Sequence, residues 1–521
     1  MFLLNFDGNW LRNRDQVRLL NKGLRGIEKE SLRIDPKGGL SMKPHPLELG
    51  SALSNPYITT DYSEALLEFV TPPYNSNSDM LQFLCDMHTF FYSVCDDELL
   101  WSQSMPCEIS YASNLPIANY GISNKGLMKS FYRNGLGYRY GKEMQLISGL
   151  HFNYSLPLDF WPAYKEYKRS SLSLRDFASQ EYMSLIRNFY RISWLFIYLF
   201  GASPIMCRSY DQKGSSGLKE HGSNSLYGEF STSLRMSDIG YSNNGQTELD
   251  ISFNSLDQYI EDLSTAIRTP NPVYKKIGLK DQKQYKQLNT NNLQIENEYY
   301  SFVRPKAISF NDEPLIANLR NEGVGFIELR TSDINMMDPL GINNAQLHFT
   351  EAALIYCLLS DSPHVSPNEQ KEIDNRNLVV SKEGRSPDLE LLINGKLDSL
   401  KRVGILILEN ILEVAKHLDS NRKNNDYSES VESQMKSIHW PEETPSAKIL
   451  SEIQKERISF SEFSLHISKR HSSYFKSLSL SEEKSKFFKK EAENSIENSK
   501  ELERESSCSF DNYLKNYYRN I

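Results

Sequence analysis

The sequence predicts an α+β fold with a largely helical C-terminal part. Up to about residue 360, short segments in which every second residue is apolar alternate with stretches of helical periodicity. Beyond Pro387 the chain becomes rich in Ser, Glu and Lys at helical spacing. With 39% hydrophobic and 11% aromatic residues, the 521-residue chain can bury large cores. We therefore expect an α+β domain over residues 1–387 and a helical region over residues 388–521 that packs on it.

Five segments alternate as strands do, and each gathers polar residues on one face. Within residues 26–35 (GIEKESLRID), Glu28 and Glu30 share a face, roughly 6.5–7 Å apart at the rise of a strand. Residues 57–73 are predicted to form strand, turn and strand, because β-branched residues open the segment and Thr-Pro-Pro ends it, so Asp61 and Glu68 project from neighbouring segments. A helix would also align these two residues, which are nearly two turns apart. Each of the other three segments also places polar residues on one of its faces. These residues are His151, Asn153 and Ser155 in residues 146–157; Glu296, Glu298, Tyr300 and Arg304 in residues 293–304; and Glu328 and Arg330 in residues 325–333.

Helical periodicity predicts helices at residues 75–95 and 180–199, both packed on a sheet, and an amphipathic helix at residues 397–418. The uncharged segment 192–207 contains Pro204 and is expected to be a buried core helix. Residues 211–229 (DQKGSSGLKEHGSNSLYGE) are rich in Gly and Ser. A loop of that length is more often a functional lid than a connector, with a mobile surface insertion as the alternative.

Composition excludes several classes of partner. The 59 Lys and Arg residues against 67 Asp and Glu residues give a net charge of −8, without the basic footprint of a nucleic-acid binder. No uncharged segment is long enough to cross a bilayer, and the first residues lack the features of a secretory signal. Six cysteines without metal-ligand spacing fit reduced thiols. The sequence therefore predicts a cytoplasmic protein without nucleic-acid or membrane partners, and a monomer.

Acidic residues, a histidine and an arginine converge on the predicted sheet face. Carboxylates are the ligands that Mg²⁺ prefers when it holds a substrate phosphate, and Arg binds phosphate through two parallel hydrogen bonds. The combination predicts metal-assisted phosphoryl chemistry, with metal-dependent hydrolysis as the alternative.

The usual short nucleotide and zinc motifs are missing. Residues 121–126 (GISNKG) have P-loop spacing, but a Leu-Met pair follows where Lys and Ser or Thr are required, so we expect a turn. Residues 135–141 (GLGYRYG) miss the dinucleotide-binding spacing by one residue. His348 and Glu351, on a helical pattern, are expected to be a packed surface pair rather than metal ligands.

Ten collinear blocks between about residues 20 and 360 resemble the proteobacterial type of glutamate–cysteine ligase. They read GLRGIEKESLRI, GSALSNPYITTDYSEALLEFVTP, WSQSMPC, YGISNKG, FYRNGLGYRYG, ISGLHFNYSLP, YLFGASP, STSLRMSDIGY, LQIENEYYSFVRPK and GFIELRTSDINMMDPLG. The resemblance implies a glutamine-synthetase-like antiparallel sheet curled into a funnel, with helices outside. It also implies that ATP phosphorylates the γ-carboxylate of glutamate with the help of Mg²⁺, after which the amine of cysteine displaces the phosphate.

The resemblance assigns roles to individual residues. Arg330 resembles a phosphate-side cation that contacts ATP, and His151 resembles a metal ligand or phosphate contact; these two are the expected catalytic residues. The metal-side residues implied are Glu28, Glu30, Asp61, Glu68, His151 and Glu328. The pocket implied for the cysteine substrate consists of Tyr132, Leu136, Arg235, Tyr241 and Tyr300.

The sequence departs from the family pattern in three places. Lys29 stands where Arg is common, but it points away from the carboxylate face. Residues 211–229 match poorly, which bears on how the pocket closes, and the part after Pro387 matches only faintly. The alternatives to a glutamate–cysteine ligase are another ATP-dependent carboxylate–amine ligase, a non-catalytic metabolite-binding relative, and a metal-dependent hydrolase.

Overall fold

A computed structural model describes residues 4–109, 114–211, 214, 216–240, 249–282, 284–309 and 313–521. Within these ranges strands and helices alternate over the first two thirds of the chain, and helices dominate afterwards. Strands β1 to β14 occupy Leu24–Ile34, Ile58–Thr60, Leu66–Val70, Leu99–Leu100, Leu150–Ser155, Ile205–Cys207, Lys219–His221, Ser225–Tyr227, Lys280–Asp281, Gln284–Tyr285, Val303–Lys306, Phe326–Ser332, Glu390–Ile393 and Lys396–Ser399. Helices α1 to α16 occupy Arg14–Leu20, Asn77–Val94, Asn124–Tyr140, Phe160–Tyr167, Leu174–Phe200, Leu256–Arg268, Pro272–Ile277, Leu315–Glu322, Asn344–Leu359, Pro367–Glu383, Leu400–Asp419, Asp426–His439, Pro445–Glu456, Phe460–Ser477, Glu482–Glu505 and Phe510–Arg519.

The central feature is a seven-stranded sheet with strand order β11-β12-β5-β1-β3-β2, in which β4 also pairs with β1. Every pairing in this sheet is antiparallel. The predicted α+β class and antiparallel sheet are therefore confirmed. Four of the five predicted strand segments are also confirmed: the β2–β3 pair, β5 and β12 fall within them, and β1 overlaps its segment but begins two residues earlier, at Leu24.

The prediction for residues 293–304 was wrong over most of its length, because only Val303–Lys306 is a strand. Residues Glu296–Glu298 form a 3-10 turn instead. The two glutamates of this turn accept backbone hydrogen bonds, Glu296 from the amide of Leu315 and Glu298 from the amide of Gln294. The bond within the turn, from Gln294 to Glu298, and the bond from the more distant Leu315 favour a turn over a strand at these residues.

Helices cover the sheet face opposite Glu28 and Glu30. On that face Lys29 Nζ lies 3.0 Å from His88 Nε2 of α2, so the prediction that Lys29 points away from the carboxylates is confirmed. Helix α5 packs against β11 and β12, and α2 packs against β1 and β3. The predicted helices at residues 75–95 and 180–199 are thus confirmed as helices packed on the sheet.

Two local predictions need correction around Pro204. Helix α5 ends at Phe200, and the chain then turns into strand β6 instead of continuing as one core helix to residue 207. The region 211–229 is not a long structureless loop, because it contains strands β7 and β8, which form a small sheet with β6 in the order β6-β8-β7. Each of these strands has three residues, too few to show an alternating pattern in the sequence. Residues 212, 213 and 215 lie outside the described residues.

The later helices pack directly on the sheet domain. Helices α11 and α12 contact α9, α14 contacts α2, and α16 contacts α3. A single apolar cluster runs from Leu4 to Ile521, so both regions share one core. The boundary near residue 387 stays a prediction. No helix in the described ranges combines the length and apolar character that a bilayer span needs, and the six cysteines are unpaired.

A buried ion pair ties the first strand to these helices. Arg25 of β1 pairs with Glu351 of α9, and their side chains are 2% and 1% exposed. The hydroxyl of Tyr427 of α12 donates to the other carboxylate oxygen of Glu351 at 2.6 Å. His348 and Glu351 are both buried, so the prediction of a surface pair was wrong. The reason is that Arg25, far away in the sequence, supplies the charge that allows Glu351 to be buried.

We expect Glu351→Ala to lower the free energy of unfolding by about 3–5 kcal/mol, because it leaves the buried guanidinium of Arg25 without its anion. The shift of the urea unfolding midpoint measures this loss. The matched control is Asp159→Ala, which removes an exposed partner 4.0 Å from Lys22 and should change stability by no more than about 0.5 kcal/mol. Equal effects of the two substitutions would contradict the role assigned to the buried pair.

Candidate active site

One cavity of about 430 Å³ lies between the carboxylate face of the sheet and helix α3. Among the residues predicted for the site, ten line it: Glu28, Glu30, Asp61, Glu68, Tyr132, Leu136, His151, Tyr300, Glu328 and Arg330. They come from four strands and from the helix or loops beside them, so the fold gathers into one place what the sequence holds hundreds of residues apart.

Strand register fixes the acidic part of this cavity. Glu30 on β1 lies opposite Glu68 on β3, and Glu28 lies opposite His151 on β5. Because residues that face each other on antiparallel strands have Cβ atoms about 5 Å apart, the register alone brings these side chains together. A shift of one residue would turn them to the other face of the sheet.

Three of these side chains could hold one metal ion. One ligand atom each of Glu28, Glu68 and His151 lies within 4.8 Å of the other two. Glu28 is oriented by Asn153, whose amide donates to Oε1 at 2.8 Å, while Oε2 lies 3.3 Å from Nδ1 of His151. Two carboxylates and an imidazole, of which Glu28 and His151 are held by hydrogen-bond partners, make a donor set that fits a divalent cation.

The electrostatics of the cluster also fit a cation. Burial raises the pKa of Glu68 well above its usual range, and the charges of Glu28, Asp61 and Glu30 raise it further. Burial and the charge of Asp61 raise the pKa of Glu30 to about 8, although Glu30 accepts a hydrogen bond from the amide of Gly149 at 2.6 Å. Without a cation these acids keep protons at neutral pH, and a bound divalent cation would supply the charge that lets them ionise.

Glu328 has the opposite environment. Burial disfavours its charge, but the cations Lys306 and Arg330 hold the pKa of its carboxyl well below the usual range. Lys306 Nζ lies 2.8 Å from one of its oxygens, and Arg330 pairs with the other. Burial and the nearby charge of Arg330 lower the pKa of His151, so its imidazole is neutral at pH 7 and can act as a ligand.

A row of cations on α3 faces the carboxylates, and the sequence-based reasoning missed it. Lys125, Lys129 and Arg133 recur every fourth residue and all line the cavity. Arg133 Nη2 lies 3.7 Å from Asp61 Oδ1, and burial together with Arg133 and Lys125 lowers the pKa of Lys129 to about 8. The spacing of four was present in the sequence, but it indicates a site only once α3 is known to lie over the carboxylate face.

Two glycines of the GLGYRYG segment explain how α3 comes so close. The segment lies in the second half of the helix and at its end, not in a nucleotide-binding loop. A Cβ atom at Gly135 would lie 2.1 Å from Oε1 of Gln294, and one at Gly137 would lie 2.4 Å from the hydroxyl of Tyr62. The glycines therefore permit close packing of α3 on the walls of the cavity.

The residues predicted for the cysteine pocket fall into three groups. Tyr132, Leu136 and Tyr300 line the cavity. Arg235 is 1% exposed and is not among the lining residues; its Nη2 donates to the carbonyl of Arg330 at 2.9 Å, and its Nη1 lies 3.6 Å from Asp333. Tyr241 lies outside the described residues. The assignment of the pocket stays a prediction.

A second missed contribution comes from α16. Tyr513 and Tyr517, on the same side of that helix, line the cavity opposite the sheet. In the sequence they belong to a short polar segment, DNYLKNYYRN, which carries no recognisable motif. Only the packing of α16 on α3 brings these tyrosines to the site.

The comparisons with known proteins agree on one family. Residues 9–380 match the family model described as glutamate–cysteine ligase. Proteins named glutamate–cysteine ligase from Saccharophagus degradans and Pseudomonas aeruginosa are 43% and 44% identical, over 95% and 96% of this chain and 94% and 95% of their own lengths.

Solved structures extend this likeness to the fold. The crystal structure of a glutamate–cysteine ligase from Francisella tularensis, in complex with AMP, has a TM-score of 0.90 and 35% sequence identity, covering 96% of this chain and 98% of that one. A bifunctional glutathione synthetase from Pasteurella multocida shares the fold with a TM-score of 0.71 at 23% identity, covering 89% of this chain and 54% of that one.

We expect Glu68→Gln to stabilise the metal-free protein increasingly as the pH rises. A carboxyl whose pKa is raised by folding stabilises the protein most below its unfolded pKa of about 4.5, and this contribution is lost as the pH rises towards the folded pKa. The glutamine needs no proton to be neutral, so the variant avoids that loss. In EDTA, the variant should gain at least about 1 kcal/mol in unfolding free energy at pH 8.5 and little at pH 5.

Thermal unfolding at the two pH values measures this difference. The control is Glu432→Gln, which changes an exposed glutamate of α12 and should show no dependence on pH. A destabilised Glu68→Gln at high pH would mean that the carboxylate supports the fold.

Proposed function

The chain belongs to the glutamate–cysteine ligase family, and we propose that its acid-lined cavity is where the family's reaction takes place. The reaction is the ATP-dependent joining of the γ-carboxylate of L-glutamate to the amine of L-cysteine. It yields γ-glutamylcysteine, ADP and phosphate, and it is the first step of glutathione biosynthesis. The observation that carries the placement is the cluster of Glu28, Glu68 and His151, whose ligand atoms lie within 4.8 Å of one another, with cations facing them.

Mg²⁺ is the metal that this donor set would bind in our proposal. Glu28, Glu68 and His151 would hold it, while Glu30 and Asp61 line the same end of the cavity. When bound, it would neutralise phosphate charge and withdraw electrons from the phosphorus that is attacked. The raised pKa values of Glu30 and Glu68 support the proposal, because these acids are poised to exchange protons for a cation.

Arg330 is proposed to bind the phosphoryl group that is transferred. Its side chain is 16% exposed at the cavity, and the buried Nε has no hydrogen-bond partner among the described residues. Because Arg330 lines the cavity, its guanidinium can donate to an oxygen of the phosphoryl group, which arginine recognises through parallel hydrogen bonds. Lys306, on the other side of Glu328, adds a second positive charge near the same point.

The two chemical steps need positioning more than proton transfer. In the first, an oxygen of the glutamate γ-carboxylate bonds to the γ-phosphorus of ATP, and the bond from that phosphorus to ADP breaks. In the second, the amine of cysteine bonds to the carbonyl carbon, phosphate leaves, and the nitrogen loses a proton. Both steps build or move negative charge on phosphoryl oxygens, which Arg330, Lys306 and the cations of α3 offset.

His151 takes the role of a ligand rather than a general base in this proposal. Its Nδ1 lies between Glu28 and Glu328, at 3.3 Å and 3.8 Å, and its Nε2 lies 3.9 Å from Glu30. An imidazole surrounded by three carboxylates is better suited to share a cation with them than to remove a proton from an incoming amine.

The nucleotide site is proposed to occupy the same cavity. The relative from Francisella tularensis was solved in complex with AMP, and its fold superimposes on nearly the whole of this chain. The row of Lys125, Lys129 and Arg133 supplies the positive charge that a polyphosphate needs along its length.

The cysteine substrate is proposed to bind at the other end of α3, against Tyr132, Leu136 and Tyr300. Leu136 offers an apolar contact and the tyrosine rings offer apolar faces with polar edges, which suits a polarisable thiol. Arg235 and Tyr241 were predicted for the same pocket and remain part of the proposal. Arg235 acts in it by holding the backbone of Arg330, to whose carbonyl it donates.

We further propose a cytoplasmic monomer whose residues 1–387 carry the catalysis. The unpaired thiols, four of them buried, suit a reducing compartment. Sedimentation velocity at micromolar concentration tests the oligomeric state, and a stable dimer would contradict it.

Phosphate release should require ATP, glutamate and cysteine together. We expect Glu68→Gln to lower this release by two or more orders of magnitude while the variant stays folded, because it removes a charged metal ligand. Release without cysteine would indicate another acceptor amine, and turnover without ATP would indicate a hydrolase. Loss of folding in parallel with activity would mean that Glu68 is structural.

Leu136→Ala should raise the KM for cysteine by about tenfold and leave the KM values for glutamate and ATP within about twofold. The reason is that a lost apolar contact in the acceptor pocket affects one substrate only. The control is Tyr138→Ala, on the exposed side of the same helix, which should change no kinetic constant. Equal increases in all three KM values would place Leu136 in the support of the fold instead.

A further inference from the structure

We propose that Tyr513 and Tyr517 of α16 bind the purine base of the nucleotide. The inference rests on the proposed function, because it takes the carboxylate cluster as the place where the phosphates are held. It assigns a role to a helix that the sequence resemblance leaves without one.

The cations of α3 indicate the direction in which a polyphosphate can lie. Arg133 sits beside Asp61 at the acidic end of the cavity, at 3.7 Å. Lys129 follows one turn nearer the start of α3, and Lys125 one turn further. At a rise of 1.5 Å per residue, the row from Arg133 to Lys125 extends about 12 Å along α3, from the residue beside Asp61 towards the start of the helix. A polyphosphate that follows these cations therefore runs towards the N-terminal end of α3.

Near the start of α3, the cavity has apolar and aromatic walls. Its walls there are Met128 and Ile295, which are 9% and 7% exposed, and the two tyrosines of α16. Tyr513 and Tyr517 are four residues apart on the same side of the helix. The purine base is the part of ATP that carries no charge and has two flat faces, and aromatic side chains stack on such faces.

The amino-acid substrates fit this end of the cavity poorly. Both carry an ammonium and a carboxylate on the α-carbon, which require charged partners when they leave water. Met128, Ile295 and the two tyrosines are neutral, and the cation at this end, Lys125, is assigned to the polyphosphate in this proposal. Of the residues proposed for cysteine, Leu136 lies two turns of α3 beyond Met128, and Tyr300 donates to the sulfur of Met236. Tyr132 packs on the same apolar cluster as the two tyrosines of α16.

Helix α16 is held in place by contacts within the chain, before any ligand binds. The Tyr517 hydroxyl donates to Glu296 Oε2 at 3.2 Å, and the Tyr518 hydroxyl donates to the carbonyl of Gln294 at 2.8 Å. Asp511 pairs with Lys280 at 3.0 Å.

The first residue of α16 is also fixed by packing. Phe510 packs edge-on against Phe131 of α3 and against Tyr285, with ring centroids 5.2 Å and 5.1 Å apart. A wall fixed at several points loses little entropy when it receives a flat ligand, which favours tight binding.

The test compares two probes that differ in the base alone. The affinity of magnesium ADP and of magnesium tripolyphosphate is measured by calorimetry for the wild type, Tyr513→Ala and the double variant Tyr513→Ala/Tyr517→Ala. We expect the double variant to bind ADP at least about tenfold more weakly, the loss typical of removing a base–aromatic stack. Tripolyphosphate affinity should stay within about twofold.

Controls separate this role from support of the fold. Tyr513→Ala retains the bond from Tyr517 to Glu296, so it serves if the double variant is unstable in thermal unfolding. Lys515→Ala changes an exposed residue of the same helix and should leave both affinities unchanged.

Three outcomes would overturn the inference. They are an unchanged affinity for ADP in a folded double variant, an equal loss of affinity for ADP and for tripolyphosphate, and an increase in the KM for cysteine alone. Glu68→Gln tests the proposed function separately, because it should weaken both probes alike. If it weakens neither, the phosphates have been placed wrongly, whatever the tyrosines do.

Discussion

The crowding of carboxylates on one buried face of an antiparallel sheet is the constraint on which the rest of this structure depends. Glu28, Glu30 and Glu68 are brought together by strand register, and burial would make their simultaneous ionisation very costly. Two groups of cations offset this negative charge. Lys306 and Arg330 pair with Glu328, and the cations of α3 line the same cavity. The cavity thus holds both carboxylates, which suit a metal cation, and basic side chains, which suit a phosphate.

The sheet can tolerate crowded carboxylates on one face because ion pairs hold its other face in place. Arg25 and Arg33 of β1 are both buried and both pair with glutamates, Glu351 of α9 and Glu98 beside β4. Breaking such a pair is far more costly than the pair is worth, so these contacts fix the position of β1 more than they add stability. A fixed β1 keeps Glu28 and Glu30 in register with their neighbours. Precise placement of the acids follows from ion pairs that do not touch the cavity.

Most of the carboxylate face could be predicted because an alternating pattern is a local property. Glu28 and Glu30 share a face whatever the rest of the chain does, and the strand assignment of β1, β5 and β12 followed from the same rule. The β2–β3 pair was predicted from its β-branched start and the Thr-Pro-Pro that ends it. The pattern misled at residues 293–302, where backbone amides that bond to Glu296 and Glu298 favour a turn.

Contacts between distant segments could not be predicted in this way. The burial of Glu351 depends on Arg25, and the cations of α3 indicate a site only when that helix lies over the sheet. The tyrosines of α16 have no motif at all, and they lie beyond the ten blocks that carry the resemblance, which end near residue 360. For Arg235, the family resemblance implied a pocket residue, but the structure buries it beside Asp333, and it is not among the residues that line the cavity.

The distance along the chain between α3 and α16 has a consequence for how the protein is made. At typical rates of synthesis, roughly 5–20 residues per second, residues 510–519 leave the ribosome about 20–80 s after residues 124–140. The strands can pair and the acids can gather in that interval, but one side of the cavity remains open to solvent. Nascent chains therefore pass through a stage in which a charged, half-built cleft is exposed, and ions or nucleotides present in the cell can bind to it before α16 docks.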